Sequence, residues 1–284
     1  MNNRTNNILV PIDFSEQSLI ALDQSYNIAK ISESEITLLN VLTVHGPMWS
    51  LFSENEKDDI EQRLSSRLNN LGEEITNQSG IKVNIIIKKG KVVDTILETA
   101  REINSRFIIM GTTPSNDIKK KVVGTIASRI LKEATCPVIT IKGKHHRNGC
   151  ETILLPLDLS KQTKQKINLA IWLGKHFKST IHAVTITASN DFFVLNDIES
   201  QLKKVKEKIE TQGVKCTIRV LALNHGGNEN FCKALLSYGQ ETLADLIMIM
   251  TQQEFEVKDF FIGTLASEII NSSDIPVLSC IPTK

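Results

Sequence analysis

The chain lacks any apolar run that approaches the roughly 18 consecutive residues of a helical membrane span. Its opening residues, MNNRTNN, hold no apolar stretch of the kind a secretory leader needs, so none is expected. Neither sign of charge is in excess: 33 Lys and Arg face 32 Asp and Glu, a net charge of +1. That balance supplies no electrostatic reason to bind nucleic acid or an anionic membrane surface. Cysteine is sparse and unpatterned. The five residues Cys136, Cys150, Cys216, Cys232 and Cys280 are odd in number and form no C-x-x-C. They read as reduced thiols in a cytosol, not as a disulfide framework, and the expected location is the cytoplasm. His145, His146 and Cys150 lie close in sequence but have no fourth ligand at metal-site spacing, so no metal site is expected there. Missing too are G-x-x-x-x-G-K-[ST], G-x-G-x-x-G and the G-x-S-x-G elbow. A P-loop, a dinucleotide fingerprint and a hydrolase triad therefore have no anchor.

What is present is a unit written twice. NILVPIDFS, residues 7–15, matches TILLPLDLS, residues 152–160; each is an apolar run closing on Pro-x-Asp-x-Ser. GTIASRILKEATCPVITI, residues 124–141, matches GTLASEIINSSDIPVLSC, residues 263–280. Matches near both ends of each copy indicate a duplicated domain. The join, KGKHHRNGC, is polar and basic with two glycines and has no strand or helix period. The expected organisation is a first domain over 1–143, a linker over 144–149 and a second domain over 150–284.

Inside each unit, apolar runs alternate with helical periods. Ile8–Ile12, Ile36–Leu42, Val83–Ile87, Phe107–Met110 and Val138–Ile141 are expected strands. Between them, helices are expected over Ser15–Ser32, Glu54–Gly80, Val92–Asn104 and Thr125–Thr135. Ser15 is placed to cap the first helix. The second unit runs parallel, with its long helix expected over Ile198–Gln212. The strands are continuous apolar runs, the mark of strands buried on both faces. The expected fold is α/β: two tandem, doubly wound, Rossmann-like domains, each a five-stranded parallel sheet flanked by helices.

Ligands of such sheets lie beyond the carboxyl ends of the strands. Three segments of the first unit converge there: Pro11-Ile12-Asp13, Val41, and Met110-Gly111 with Gly124-Thr125. A helix starting at Gly124-Thr125 offers free N–H groups and a dipole that favour an anion, and Lys119, Lys120 and Lys121 add positive charge.

On these residues the chain resembles the universal stress protein A family, over nearly its whole length, as two copies. Nucleotide-binding members carry a loop G-x2-G-x9-G-[ST], then a helix, then a strand beginning C-P-V. Here the loop runs from Gly111 to Gly124-Thr125 and is followed by CPVITIK, with the spacing kept. Pro114 stands where the motif has its second glycine. Proline has no N–H to donate and holds φ at about −65°, so the loop takes another path there. The resemblance implies that the first domain binds ATP or another adenine nucleotide, with Mg²⁺ accompanying ATP. Asp13 would hydrogen-bond adenine or ribose. Pro11, Ile12 and Val41 would line the base pocket. Met110, Gly111, Thr113, Gly124, Thr125 and Ile126 would hold ribose and phosphates.

In the second copy Thr251 replaces the first glycine, and Glu254, Glu256 and Asp259 would repel phosphate. That half is expected to be structural. Phe255, Phe260 and Phe261 would fill its pocket or face a partner. The resemblance also implies that the two final strands, CPVITIK and IPVLSCI, pair within one chain as a pseudo-dimer, with a further homodimer left open. Two functional readings stand: a nucleotide-binding stress-response regulator, and an interaction module for a protein partner that binds no nucleotide. An enzyme beyond a slow ATPase lacks a catalytic constellation, and Thr125 as a bare helix cap is the plain alternative to its phosphate role.

Overall fold

The computed structural model describes residues 6–44, 49–112, 124–143, 149–159, 163–223, 231–250 and 264–281. Thr113, Pro114, Lys119–Lys121, His145 and His146 lie outside them, as does the whole segment from Thr251 to Gly263. The chain divides into two compact units, the first running to Ile141 and the second from Lys142.

The first unit runs β1 (Asn7–Pro11), α1 (Glu16–Ile31), β2 (Glu35–Leu42), α2 (Glu54–Ser79), β3 (Val83–Lys89), α3 (Val92–Glu102), β4 (Phe107–Gly111), α4 (Thr125–Glu133) and β5 (Val138–Ile141). Its strand order is β3-β2-β1-β4-β5, and the pairs are parallel. The second unit runs β6 (Thr152–Pro156), α5 (Thr163–Phe177), β7 (Thr180–Thr187), α6 (Phe192–Glu210), β8 (Lys215–Ala222), α7 (Phe231–Glu241), β9 (Leu246–Met250), α8 (Thr264–Ser272) and β10 (Val277–Cys280). Its order, β8-β7-β6-β9-β10, repeats that of the first, again all parallel. Each unit is thus the doubly wound α/β sheet expected from its apolar runs.

Burial explains the pattern. Ile8, Leu9, Val10, Leu38, Leu39, Ile108 and Ile109 are fully buried in the first sheet, and Ile153, Leu154, Leu155, Ile247 and Met248 in the second. Strands covered on both faces have no polar side to show, so their residues do not alternate. β8, paired on one side only, does alternate: Lys215 and Thr217 are exposed while Cys216 is buried. The long helix α2 opens with a capping box. The Ser53 hydroxyl accepts from the Glu56 N–H, and the Glu56 carboxylate accepts from the Ser53 N–H. It ends on Gly80 at φ +72°, the left-handed conformation that glycine takes without strain.

One boundary moved. α6 starts at Phe192, well before Ile198, because Asp191 caps it, accepting from the Phe193 and Val194 N–H groups at 2.8 and 3.1 Å. Phe192 and Phe193 are exposed, so its first turn carries no apolar period to read. No helix among the described residues is long and apolar enough to cross a membrane. All five cysteines are buried and unbridged.

Candidate functional site

The strand order places β1 between β2 and β4, whose crossover connections leave in opposite directions. A crevice opens at the carboxyl ends of strands at such a switch point. β1 enters it through Pro11. The Ile12 N–H continues the ladder to the Leu39 carbonyl at 2.8 Å. Asn40, buried in β2, donates its side-chain amide to the Ile12 carbonyl at 2.7 Å, which fixes where the chain leaves the sheet.

The turn that follows is strained and braced. Phe14 has φ +62°, a left-handed conformation that costs a non-glycine residue about 1 kcal/mol or more. The Arg67 guanidinium, from α2, sits 4.0 Å above the Phe14 ring and holds it there. The second unit repeats the left-handed turn, with Leu159 at φ +60°. Beyond the turn, Asp13 Oδ1 accepts from the Ser15 N–H at 2.9 Å and from the Ser15 hydroxyl at 2.5 Å. The Ser15 hydroxyl in turn accepts from the Ser18 N–H at 3.2 Å, so Ser15 caps α1 as its sequence position suggests. Partial burial of Asp13 works against its charge, but hydrogen bonds from Ser15 and Ser18 prevail and hold the carboxyl below its ordinary value. Asp13 is therefore an anion at neutral pH.

The other wall comes from β4 and α4. Gly111 ends β4 where α1 passes close. A Cβ there would lie 2.3 Å from the Gln17 carbonyl oxygen and 2.5 Å from its carbon, both backbone. This glycine thus has a packing reason that its place in the loop motif does not reveal. Gln17 carries a further signal: its side-chain Oε1 is buried and has no hydrogen-bond partner among the described residues. A buried acceptor left unmet costs about 1–3 kcal/mol, so each such atom needs an explanation. Across the crevice, α4 starts at Thr125 with Gly124 in the cap position and no side-chain cap. Thr125 is therefore not the cap residue that the plain alternative made it. The first N–H groups of α4 have no partner within the helix, and the helix dipole makes that end positive.

These pieces enclose a cavity of about 320 Å³, within the range of small-ligand sites. Of the sequence-derived candidates, Pro11, Ile12, Asp13, Val41, Met110, Gly111, Gly124, Thr125 and Ile126 all line it. Thr113 lies outside the described residues. Gln17, Ser18, Asn40 and Thr112 line it too and were not singled out from sequence. Asn40 left a faint signal, a polar residue inside the apolar run TLLNVL; Gln17 left none. Asp13 is the one carboxylate among the described lining residues. No group of three or more His, Cys, Asp or Glu side chains suited to a metal ion occurs among the described residues.

Comparison with known proteins adds family to geometry. Residues 4–142 match the model of the universal stress protein family. Over 142 residues the chain is 30% identical to a universal stress protein of Methanocaldococcus jannaschii, covering 48% of this chain and 81% of that one. It is 24% identical to the Bacillus subtilis universal stress protein YxiE over 147 residues, covering 48% of this chain and 99% of the relative. A crystal structure of an Archaeoglobus fulgidus universal stress protein superposes with a TM-score of 0.80 at 22% identity, covering 98% and 99% of the two chains. That last likeness spans both units and concerns the fold.

Proposed function

The chain belongs to the universal stress protein family, and from that premise we propose that its first unit binds an adenine nucleotide, ATP in the first instance, in the cavity at the ends of β1, β2 and β4. The observation that carries the reading is one of chemistry. A buried acceptor that no described residue donates to, Gln17 Oε1, and a helix N-terminus without a side-chain cap, at Gly124, line the same cavity. A ligand bearing hydroxyl or amino donors on one part and anionic oxygens on another answers both needs. Asp13 adds an anionic acceptor for a ribose hydroxyl or the adenine amine. Pro11, Ile12 and Val41 offer apolar surface to a base. Gly124 leaves the space beside it open: a Cβ built there meets nothing within 4 Å. In this reading Mg²⁺ would enter with the phosphates, since it keeps several waters and needs only one or two carboxylates. The second unit, lacking the loop glycine, is the mate that takes no nucleotide.

Dissecting the ligand tests this. Thermal melts of ligand-free protein are compared with ATP, adenosine and inorganic triphosphate, each with Mg²⁺. ATP is expected to stabilise most, by about 2.7 kcal/mol at a hundredfold excess over Kd, and each fragment alone by less. If triphosphate matches ATP, the crevice is only an anion site. If millimolar ATP produces no shift, the nucleotide reading is wrong.

A further inference from the structure

The second unit has its own cavity at the ends of β6, β7 and β9, about 350 Å³ in volume. Its chemistry differs from the first. The wall is mostly aliphatic and aromatic, with Leu157, Ile186, Ile198, Phe231 and Ile269 among it, and its described residues include two charged side chains, Lys166 of α5 and the solvent-exposed Asp158. Lys166 is 6% exposed. When the Asp13 and Asp158 turns are laid over one another, Lys166 falls on Ala21, which is fully buried and does not line the first cavity. The buried amine is thus peculiar to the repeat whose loop has lost its phosphate-cradling glycine.

We propose that this cavity binds a small aliphatic carboxylic acid, its carboxylate held by Lys166 and its hydrocarbon chain by the apolar wall. An ammonium has three donors. Among the described residues, Lys166 Nζ gives one to the Pro156 carbonyl, which leaves two for a ligand. The threonine hydroxyls of the wall are engaged locally. The Thr185 hydroxyl donates to the Leu157 carbonyl at 3.0 Å, and the Thr187 hydroxyl accepts from the Ser189 N–H at 3.0 Å.

Charge selects the ligand class. The ionisable groups acting on Lys166 are Asp158, exposed after β6, and Cys280, buried at the end of β10. Burial pushes the Cys280 thiol up to about 12, so it stays neutral and is no counter-ion. Burial likewise lowers the Lys166 ammonium, with the Cys280 and Asp158 interactions opposing it. Asp158 also lines the cavity, but it is exposed and its charge is screened by solvent, so a bound monoanion would be the partner that meets the buried amine directly. A phosphate, with close to two charges, would meet one amine and the nearby carboxylate of Asp158, and it has no tail to cover the apolar wall.

The experiment titrates the full chain with octanoate and with octanol, its uncharged analogue, by calorimetry. Lys166→Met and Lys166→Ala are the variants; the latter installs what the first repeat carries at this position. Wild type is expected to bind one octanoate per chain and to prefer it to octanol. Both variants are expected to lose about tenfold or more in octanoate affinity while keeping octanol binding, and to melt at a higher temperature because a buried amine has gone. Equal octanoate binding by wild type and variants, or no saturable binding by wild type, overturns the proposal. Should the variants not fold, wild type still decides: octanol bound as tightly as octanoate rejects a role for the amine.

Discussion

Gly111→Ala is expected to destabilise the first unit by about 3 kcal/mol or more, at the upper end of what overpacking costs. The reason is the neighbour. The new methyl would sit 2.3 Å from the backbone oxygen of Gln17, and backbone inside a packed helix cannot rotate away as a side-chain tip can. Either α1 shifts off the sheet or β4 does, and both carry fully buried residues such as Ala21 and Ile109. Gly124→Ala is the control. Gly124 has φ −48° and open space where a Cβ would go, so its cost stays within about 1 kcal/mol, the preference of a helix cap for glycine over alanine. Urea unfolding monitored in both variants checks this. A similar midpoint for the two would mean that the α1–β4 approach does not decide the need for glycine at 111.

Phe107→Ala is expected to cost about 3–5 kcal/mol, the range for removing a large buried aromatic ring. Phe107 is fully buried at the start of β4, and its backbone pairs with Ile8 of β1. Truncation leaves a void in the centre of the sheet, where neighbours are held by two ladders and collapse poorly. Amide exchange of β1 and β4 should accelerate accordingly, since those strands would open at lower free energy. Phe193, 81% exposed at the start of α6, gives the contrast. Its replacement by alanine should fall within about 0.5 kcal/mol, as for surface positions generally. Equal effects at 107 and 193 would refute the burial argument.

The strands were legible because burial on both faces writes them as apolar runs, and FIIM at 107–110 or LIMIM at 246–250 has no competing period. Duplication made the fold class legible as well, since each half supports the reading of the other. Three things were hidden, for physical reasons. The start of α6 is set by Asp191 and followed by exposed aromatics, so hydrophobic period gives the wrong boundary. The left-handed turns at Phe14 and Leu159 use residues that do not announce that conformation. Lys166 lies in KQTKQKIN, a stretch that reads as a solvated helix face; the phase of α5 turns that one lysine inward, and phase is decided by packing. At the site, Asp13 and the Gly111 to Thr125 span stand out in sequence. Gln17 and Asn40 do not, because their importance rests on what an amide meets after folding.

The central claim is that the first unit takes an adenine nucleotide beside Asp13. The most direct measurement is calorimetric titration of MgATP into ligand-stripped, full-length protein, with Asp13→Ala alongside and Asp13→Asn as a check. The asparagine variant keeps an oxygen to accept from Ser15 and so preserves the turn. The account predicts about one ATP per chain in wild type and a loss of about tenfold or more in affinity in both variants, which corresponds to about 1.4 kcal/mol. The absence of any binding heat in wild type, or undiminished binding by folded Asp13→Ala, would contradict it.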